Sequence, residues 1–257
     1  MNNQMLFFDV DGTLLDSNGI LSPITIKLIQ ECKHNGYFIG LITARSRSKK
    51  NLQLFKQLPY DFIAFYNGAQ IYVGNHLIDN NILPFKQTVM MLQTLNNDFP
   101  GTLMDVHLEP WNFSNVCGGI RHMETSEKKA CTLNDLPELD IQRIRIESGI
   151  LKNIPLQDYI TCESSFYYTR YNDAIIVHKN ANKGYVVKKA SEYFNIPLKQ
   201  MVAFGDDVTD IDMVKNVGIG VAMGNAHEQV RQKADFVTES VDDDGILHAL
   251  RHFGVLP

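Results

Sequence analysis

Short apolar runs, separated by polar and turn-forming positions, recur along the chain in the rhythm of a parallel sheet. Met5 to Val10 is almost continuously apolar and reads as a buried strand. Ser22-Pro23 then offers an N-cap with proline at the first helical position, and Ile24, Leu28 and Cys32 mark one helical face ending near Gly36. Tyr37 to Thr43 is a second apolar run, Arg47 to Leu58 is helical in pattern, and Asp61 to Tyr66 is a third run. None alternates strictly, as expected of strands covered on both faces. The late part repeats the pattern: Lys183 to Phe194 helical, Met201 to Phe204 strand, Ile211 to Val217 helical, Ile219 to Ala222 strand, His227 to Ala234 helical. Together the two stretches predict an α/β fold, a doubly wound, mostly parallel Rossmann-like sheet.

From about Ile82 to His178 the pattern changes. Polar and apolar residues alternate at Arg143-Ile144-Arg145-Ile146 and from Phe166 to Tyr171, and Phe85 to Leu95 is helical. This predicts a core built from residues 1–82 and 179–257, interrupted by an α+β insertion over 83–178 with hinges near Pro84 and Asn180. The acidic run Asp242-Asp243-Asp244 reads as a solvated helix start, where the helix dipole favours negative charge.

Composition narrows the function classes. With 257 residues, 44% hydrophobic and 21% charged, the chain has the makings of a globular fold rather than a disordered or fibrous one. Its net charge of -5 argues against nonspecific nucleic-acid binding, which needs dense cationic patches. No window approaches the ~18 consecutive apolar residues of a spanning helix, and the start of the chain lacks a basic, then apolar, export signal. Cys32, Cys117, Cys131 and Cys162 form no C-x-x-C pair, so neither a zinc knuckle nor a disulfide framework is expected. A cytoplasmic protein, with no membrane or nucleic-acid partner, is the expectation; monomer and homodimer both stay open.

In an open parallel sheet, ligands bind where strands end at their carboxyl edge. The segments expected there are unusually polar: Asp9-Val10-Asp11-Gly12-Thr13, Thr43-Ala44-Arg45-Ser46, Asn182-Lys183-Gly184 and Gly205-Asp206-Asp207-Val208-Thr209-Asp210. Each alone could be a helix cap or a solvated turn. Gathered at one edge, Asp9, Asp11, Asp206 and Asp210 would repel one another unless a cation neutralised them. A set of oxygen donors without His or Cys favours Mg²⁺ over zinc. A divalent ion, a carboxylate able to attack, a hydroxyl and a fixed ammonium are the parts of phosphoryl transfer. Asp9 would attack phosphorus to give an aspartyl-phosphate. Asp11, two residues on and on the same side of an extended segment, would protonate the leaving alkoxide and then deprotonate water.

The motifs resemble those of the haloacid dehalogenase superfamily of phosphohydrolases, specifically its Cof-type branch with a type IIB cap. FFDVDGTLLDS at 7–17, LITAR at 41–45, NKG at 182–184 and GDDVTD at 205–210 stand in that family's order across nearly the whole chain. Asn67-Gly68-Ala69, Met223-Gly224-Asn225-Ala226 and Asp244-Gly245 suggest the branch. The resemblance implies that Asp9 is nucleophile and Mg²⁺ ligand and that Asp11 is acid/base, with its carbonyl on the metal. Thr43 and Lys183 would hold phosphate oxygens. Asp206 would complete the metal site, with Asp210 as further acidic support, either on the metal, through water or by orienting Lys183. Backbone around Val10, Gly12 and Ala44 would cradle the phosphoryl group.

Thr209 stands where the family commonly has Asn, and Ala44 where Gly is frequent; neither touches the nucleophile. Arg45, Asn182 and Asn225 resemble substrate-side or site-edge residues, while Arg45 equally suits a surface ion pair. In the insertion, the expected cap closing over the sheet edge, Trp111, Arg121, His122, Arg143, Arg145 and Arg170 are candidates to contact a sugar phosphate, each with an ordinary structural role as the competing reading. The expected activity is Mg²⁺-dependent hydrolysis of a small phosphorylated metabolite, a sugar phosphate or phosphorylated cofactor. A phosphomutase would keep the same core. A receiver-type phospho-acceptor would share the acidic site but lacks the second aspartate and the insertion.

Overall fold

The computed structural model describes residues 4–108, 111–115, 128–130, 138–147, 154–169 and 171–257. The chain divides into two compact units, Met1–Asn80 with Ala181–Pro257, and Asn81–Asn180. The first unit is built on an eight-stranded sheet of order β14-β13-β12-β1-β2-β3-β4-β5. Its strands are β1 (Met5–Asp9), β2 (Phe38–Ile42), β3 (Phe62–Phe65), β4 (Gln70–Val73), β5 (His76–Asn80), β12 (Met201–Gly205), β13 (Ile219–Ala222) and β14 (Phe236–Val237). All pairs from β14 to β3 are parallel, and β3, β4 and β5 pair antiparallel.

Helices α1 (Pro23–His34), α2 (Lys49–Phe55), α4 (Lys183–Phe194), α5 (Ile211–Asn216), α6 (Glu228–Arg231) and α7 (Gly245–His252) connect or flank these strands. One sheet face buries Phe7, Ile42, Phe62 and Ala203 against Val186 and Val187 of α4 and Met213 of α5. On the other, Phe8 stacks on Phe204 at 4.9 Å. Full burial of an aromatic side chain contributes roughly 1.5–3 kcal/mol, so these continuous apolar strands hold the sheet without help from the polar residues at their ends.

Several elements are shorter than their pattern. Ser48 caps α2 by accepting from the Asn51 N–H at 3.3 Å, so the helix begins after Arg47. The helix after His227 stops at Arg231 because Asp235 is drawn into the sheet: its N–H donates to the Gly220 carbonyl and its carboxylate accepts from the Gly220 N–H, both 2.8 Å. The acidic run is a single 3-10 turn, Val241–Asp243, in which Asp242 accepts from the Ser17 N–H at 3.0 Å; Asp244 then turns left-handed into α7. Part of that run is a clasp on the β1 loop rather than a plain solvated helix start.

The second unit packs helix α3 (Phe85–Asp98) on a six-stranded sheet of order β10-β11-β9-β6-β7-β8. Its strands are β6 (Met104–Leu108), β7 (Trp111–Asn115), β8 (Lys128–Ala130), β9 (Ile141–Ile146), β10 (Ser164–Tyr168) and β11 (Ala174–His178). Leu92 and Leu95 of the helix share a core with Val106, Ile144 and Ile176. Strand β10 stops at Tyr168 because Asn172 turns left-handed (φ 61°), its N–H returning to the Thr169 carbonyl. Among the described residues, no helix is long and apolar enough to cross a membrane.

Candidate active site

Strand β1 lies between β2 and β12, with Asp9 level with Ile42 on one side and Phe8 level with Phe204 on the other. The residues that follow these strands, Thr43 and Asp206, therefore flank Asp9 at one edge. The chain does not stay extended beyond Asp9. The Leu14 and Leu15 N–H groups both return to the Val10 carbonyl, at 3.0 and 2.9 Å, and Gly12 adopts φ +85°. A Cβ at Gly12 would clash with the Asp206 carboxylate, so glycine is required both for the turn and for the approach of that carboxylate. Thr13, fully buried, donates its hydroxyl to Asp206 Oδ1 at 3.1 Å.

After β2, Thr43 is buried and its Oγ1 accepts from the Arg45 N–H at 3.1 Å. A left-handed turn at Tyr66 (φ 50°), Asn67 (φ 56°) and Gly68 (φ 113°) grips this loop from β3. The Tyr66 N–H donates to the Arg45 carbonyl (3.1 Å) and the Asn67 N–H to the Thr43 carbonyl (2.8 Å). Two successive non-glycine residues at positive φ are costly and persist where surrounding packing enforces them.

Helix α4 supplies the cation. Asn182 caps it, accepting from the Tyr185 N–H at 2.8 Å, and this sets Lys183 in the first turn, 2% exposed. Its Nζ donates to Asp9 Oδ1 and Asp210 Oδ1, both at 2.5 Å. The other Asp210 oxygen accepts from the Asp206 and Asp207 N–H groups, each at 2.9 Å. Asp210 is thus satisfied on both oxygens by protein groups, while Asp9 and Asp206 have fewer donors.

Three buried carboxylates face one ammonium. Burial drives the Asp9 carboxyl well above its ordinary range; Lys183 opposes this, while Asp210 and Asp206 add to it. Burial likewise pushes Asp206 up to about 7, with repulsion from Asp210 adding and with Lys183 and the Thr13 hydroxyl opposing. For Lys183, burial alone would lower the pKa, but Asp210 and Asp9 outweigh it and hold the ammonium charged. The ligand oxygens of Asp9, Asp206 and Asp210 lie within 4.8 Å of one another. The excess negative charge and the all-oxygen donor set fit a hard divalent cation.

Of the expected site residues, the structure gathers Asp9, Asp206, Asp210 and Lys183 into one cluster, with Thr43 at the end of the strand beside Asp9. Val10 and Gly12 form the turn, and Ala44 sits between Thr43 and Arg45. The Asp11 carboxylate lies outside the cluster: Arg45 holds it with both arms, Nη2 to Oδ1 at 2.6 Å and Nε to Oδ2 at 2.9 Å. Extended geometry does not bring Asp11 beside Asp9, since β1 ends one residue after Phe8. Asn225 is a clasp, donating to the Gly12 carbonyl (2.8 Å) and accepting from the Val241 N–H (2.9 Å). In the second unit, Arg145 pairs with Asp173 and Arg143 lies across the strand from Val177. The Trp111 side chain, Cys117, Arg121, His122, Cys131 and Arg170 lie outside the described residues. Thr13 and Asn51 also carry contacts at the site, beyond the expected residues; for Thr13 the signal in the sequence is a hydroxyl four residues after an acidic strand end.

A family model of haloacid dehalogenase-like hydrolases matches residues 6–250. The chain is 27% identical over 266 residues to the putative phosphatase YkrA of Bacillus subtilis, with 100% of both chains covered. It is 26% identical over 252 residues to the 5-amino-6-(5-phospho-D-ribitylamino)uracil phosphatase YcsE of the same organism, covering 97% of this chain and 95% of the relative. Among solved structures, BT1666 of Bacteroides thetaiotaomicron, described among phosphatases of the haloalkanoate (HAD) superfamily, aligns with a TM-score of 0.86 at 25% identity, over 99% of this chain and 96% of that one. The HAD subclass IIB sugar phosphatase BT4131 aligns with a TM-score of 0.82 at 23% identity, over 99% and 100% of the two chains, a likeness of fold.

Proposed function

The chain belongs to the haloacid dehalogenase-like hydrolase family, and from that premise we propose that it is a Mg²⁺-dependent phosphatase acting on a small phosphorylated metabolite. The observation that carries the reading is the buried cluster of Asp9, Asp206 and Asp210 around the single Lys183 ammonium at the carboxyl edge of the sheet. Relatives named as phosphatases, one of them for a phosphorylated ribitylaminouracil, support a sugar phosphate or phosphorylated cofactor as the substrate class.

Asp9 is the nucleophile in this reading. Its free oxygen bonds to phosphorus while the ester P–O bond breaks, and Asp11 gives a proton to the departing oxygen. Water then attacks phosphorus, the bond to Asp9 breaks, Asp11 takes the water's proton, and inorganic phosphate leaves. Thr43 and Lys183 bind phosphate oxygens, and Asp210 holds Lys183 in place. Asp9, Asp206 and the Asp11 carbonyl would hold the Mg²⁺, which when bound neutralises charge on the phosphate and the carboxylates.

The test is release of phosphate from p-nitrophenyl phosphate by the purified protein, with Mg²⁺ and with a chelator, in wild type and Asp9→Asn. The expected result is hydrolysis that requires both Mg²⁺ and Asp9. Turnover unchanged in Asp9→Asn would overturn the covalent route. With a phosphorylated sugar, an isomer forming in place of free phosphate would show a mutase instead.

A further inference from the structure

We propose that Asn51 is a positioning residue for the reaction, acting through Arg45 on Asp11. The inference rests on the phosphatase reading, in which Asp11 moves the protons. Asp11 lies on a turn with its side chain 46% exposed, where a carboxylate would ordinarily sample several rotamers. Here it is clamped by a guanidinium reaching from the loop after β2, 34 positions away in sequence. An arginine side chain is itself flexible, so the clamp is only as well placed as whatever fixes the arginine.

Asn51 is such an anchor. It sits in the first turn of α2, 4% exposed, and each end of its amide has a different partner. Its Nδ2 donates to the Ser46 carbonyl at 2.9 Å, closing the loop, and its Oδ1 accepts from Arg45 Nη1 at 3.2 Å. The backbone of Arg45 is fixed independently, by Thr43 Oγ1 below and by the Tyr66 N–H above. Asn51 therefore holds the guanidinium by Nη1, the arm that Asp11 does not use, and through it bears on the carboxylate. Proton transfer demands placement within hydrogen-bond reach of the leaving oxygen, and a displacement of about 1 Å can cost about 10²-fold.

A brace that merely holds the loop and one that places a proton donor differ in a measurable way. kcat/KM covers the steps up to ester cleavage, where protonation matters little for p-nitrophenolate and much for the more basic phenolate. With Asn51→Ala, kcat/KM should change less than about threefold on p-nitrophenyl phosphate and fall about 10- to 30-fold on phenyl phosphate, a fraction of the usual acid–base contribution. Arg45→Gln, which removes the fork without touching the helix, should steepen the leaving-group dependence in the same sense and serves if Asn51→Ala does not fold. Equal losses on both esters in the folded variants, or none on either, overturn the positioning role and leave the phosphatase reading intact. A wild-type protein hydrolysing neither ester overturns the phosphatase reading, and this inference with it.

Discussion

The two units place their charged side chains differently. In the insertion, Arg145 reaches Asp173 at 2.7 Å and Asp105, its neighbour across the strand pair, at 3.8 Å. Arg145 is 29% exposed and stands directly across the strand pair from Asp105, an arrangement that strand pairing rewards. In the core, three carboxylates with exposures of 7% or less converge on one ammonium. Nothing in folding rewards that imbalance, since each unpaired buried charge carries a desolvation cost of several kcal/mol. Charge paired across strands and partly open to solvent reads as architecture. Unbalanced buried charge, placed at the carboxyl ends of parallel strands, reads as a place prepared for a cation and a reacting group.

The comparison can be broken at its strongest point first. Asp9→Asn should lower kcat by at least about 10⁴-fold, the scale of losing a nucleophile, in a steady-state phosphate-release assay. Asp11→Asn should lower kcat/KM on phenyl phosphate by about 10²- to 10⁴-fold. Lys183→Met leaves three carboxylates with no counter-ion and should destabilise the metal-free protein by about 3–5 kcal/mol in urea unfolding. If that variant were as stable as wild type, the carboxylates would not be under the strain described.

The pH dependence of stability follows from Asp206. Its folded value of about 7 lies above the ordinary 3.8, so between these values the folded chain holds a proton that the unfolded chain has lost. That stabilisation is present in full below about pH 4 and is lost as pH climbs through about 7. Mg²⁺, which competes with the proton, should therefore raise the melting temperature more at pH 8 than at pH 5.5, approaching about 2.7 kcal/mol at a hundredfold excess over Kd. An equal gain at both pH values would contradict the site. The smallest effect is expected in the insertion: Arg145→Met, with its partly exposed pair screened by solvent, should cost about 1–2 kcal/mol and leave the Mg²⁺ response unchanged.

What was legible in the sequence follows the physics of local signals. Asp9, Thr43 and Asp206 could be placed at one edge because a strand's end is marked by where its apolar run stops, and parallel topology aligns those ends. Lys183 was legible because Asn182 is an N-cap. The β4–β5 hairpin was missed, although Gly74-Asn75 between Val73 and His76 is a two-residue turn signal; β4 offers only the short apolar run Ile71-Tyr72-Val73, and β5 is largely polar with Leu77 exposed. At the left-handed turn, Asn67-Gly68 is a local turn signal, but the positive φ of Tyr66 was not legible, because tyrosine does not favour it and the cause is tertiary. The hold of Arg45 on Asp11, and of Asn51 on Arg45, likewise depends on how loops from different strands meet. For Asn225, an exposed polar side chain beside a loop looks the same in sequence whether it meets a ligand or a carbonyl.

The central claim, that Asp9 bonds to phosphorus, is tested most directly by acid quench of the Mg²⁺-loaded protein during turnover of p-nitrophenyl phosphate, followed by mass spectrometry of its peptides. The predicted result is a phosphoryl group on Asp9, more abundant in Asp11→Asn, where water is no longer deprotonated. Phosphate found on another residue, or sustained turnover of that variant with Asp9 unmodified throughout, would contradict it.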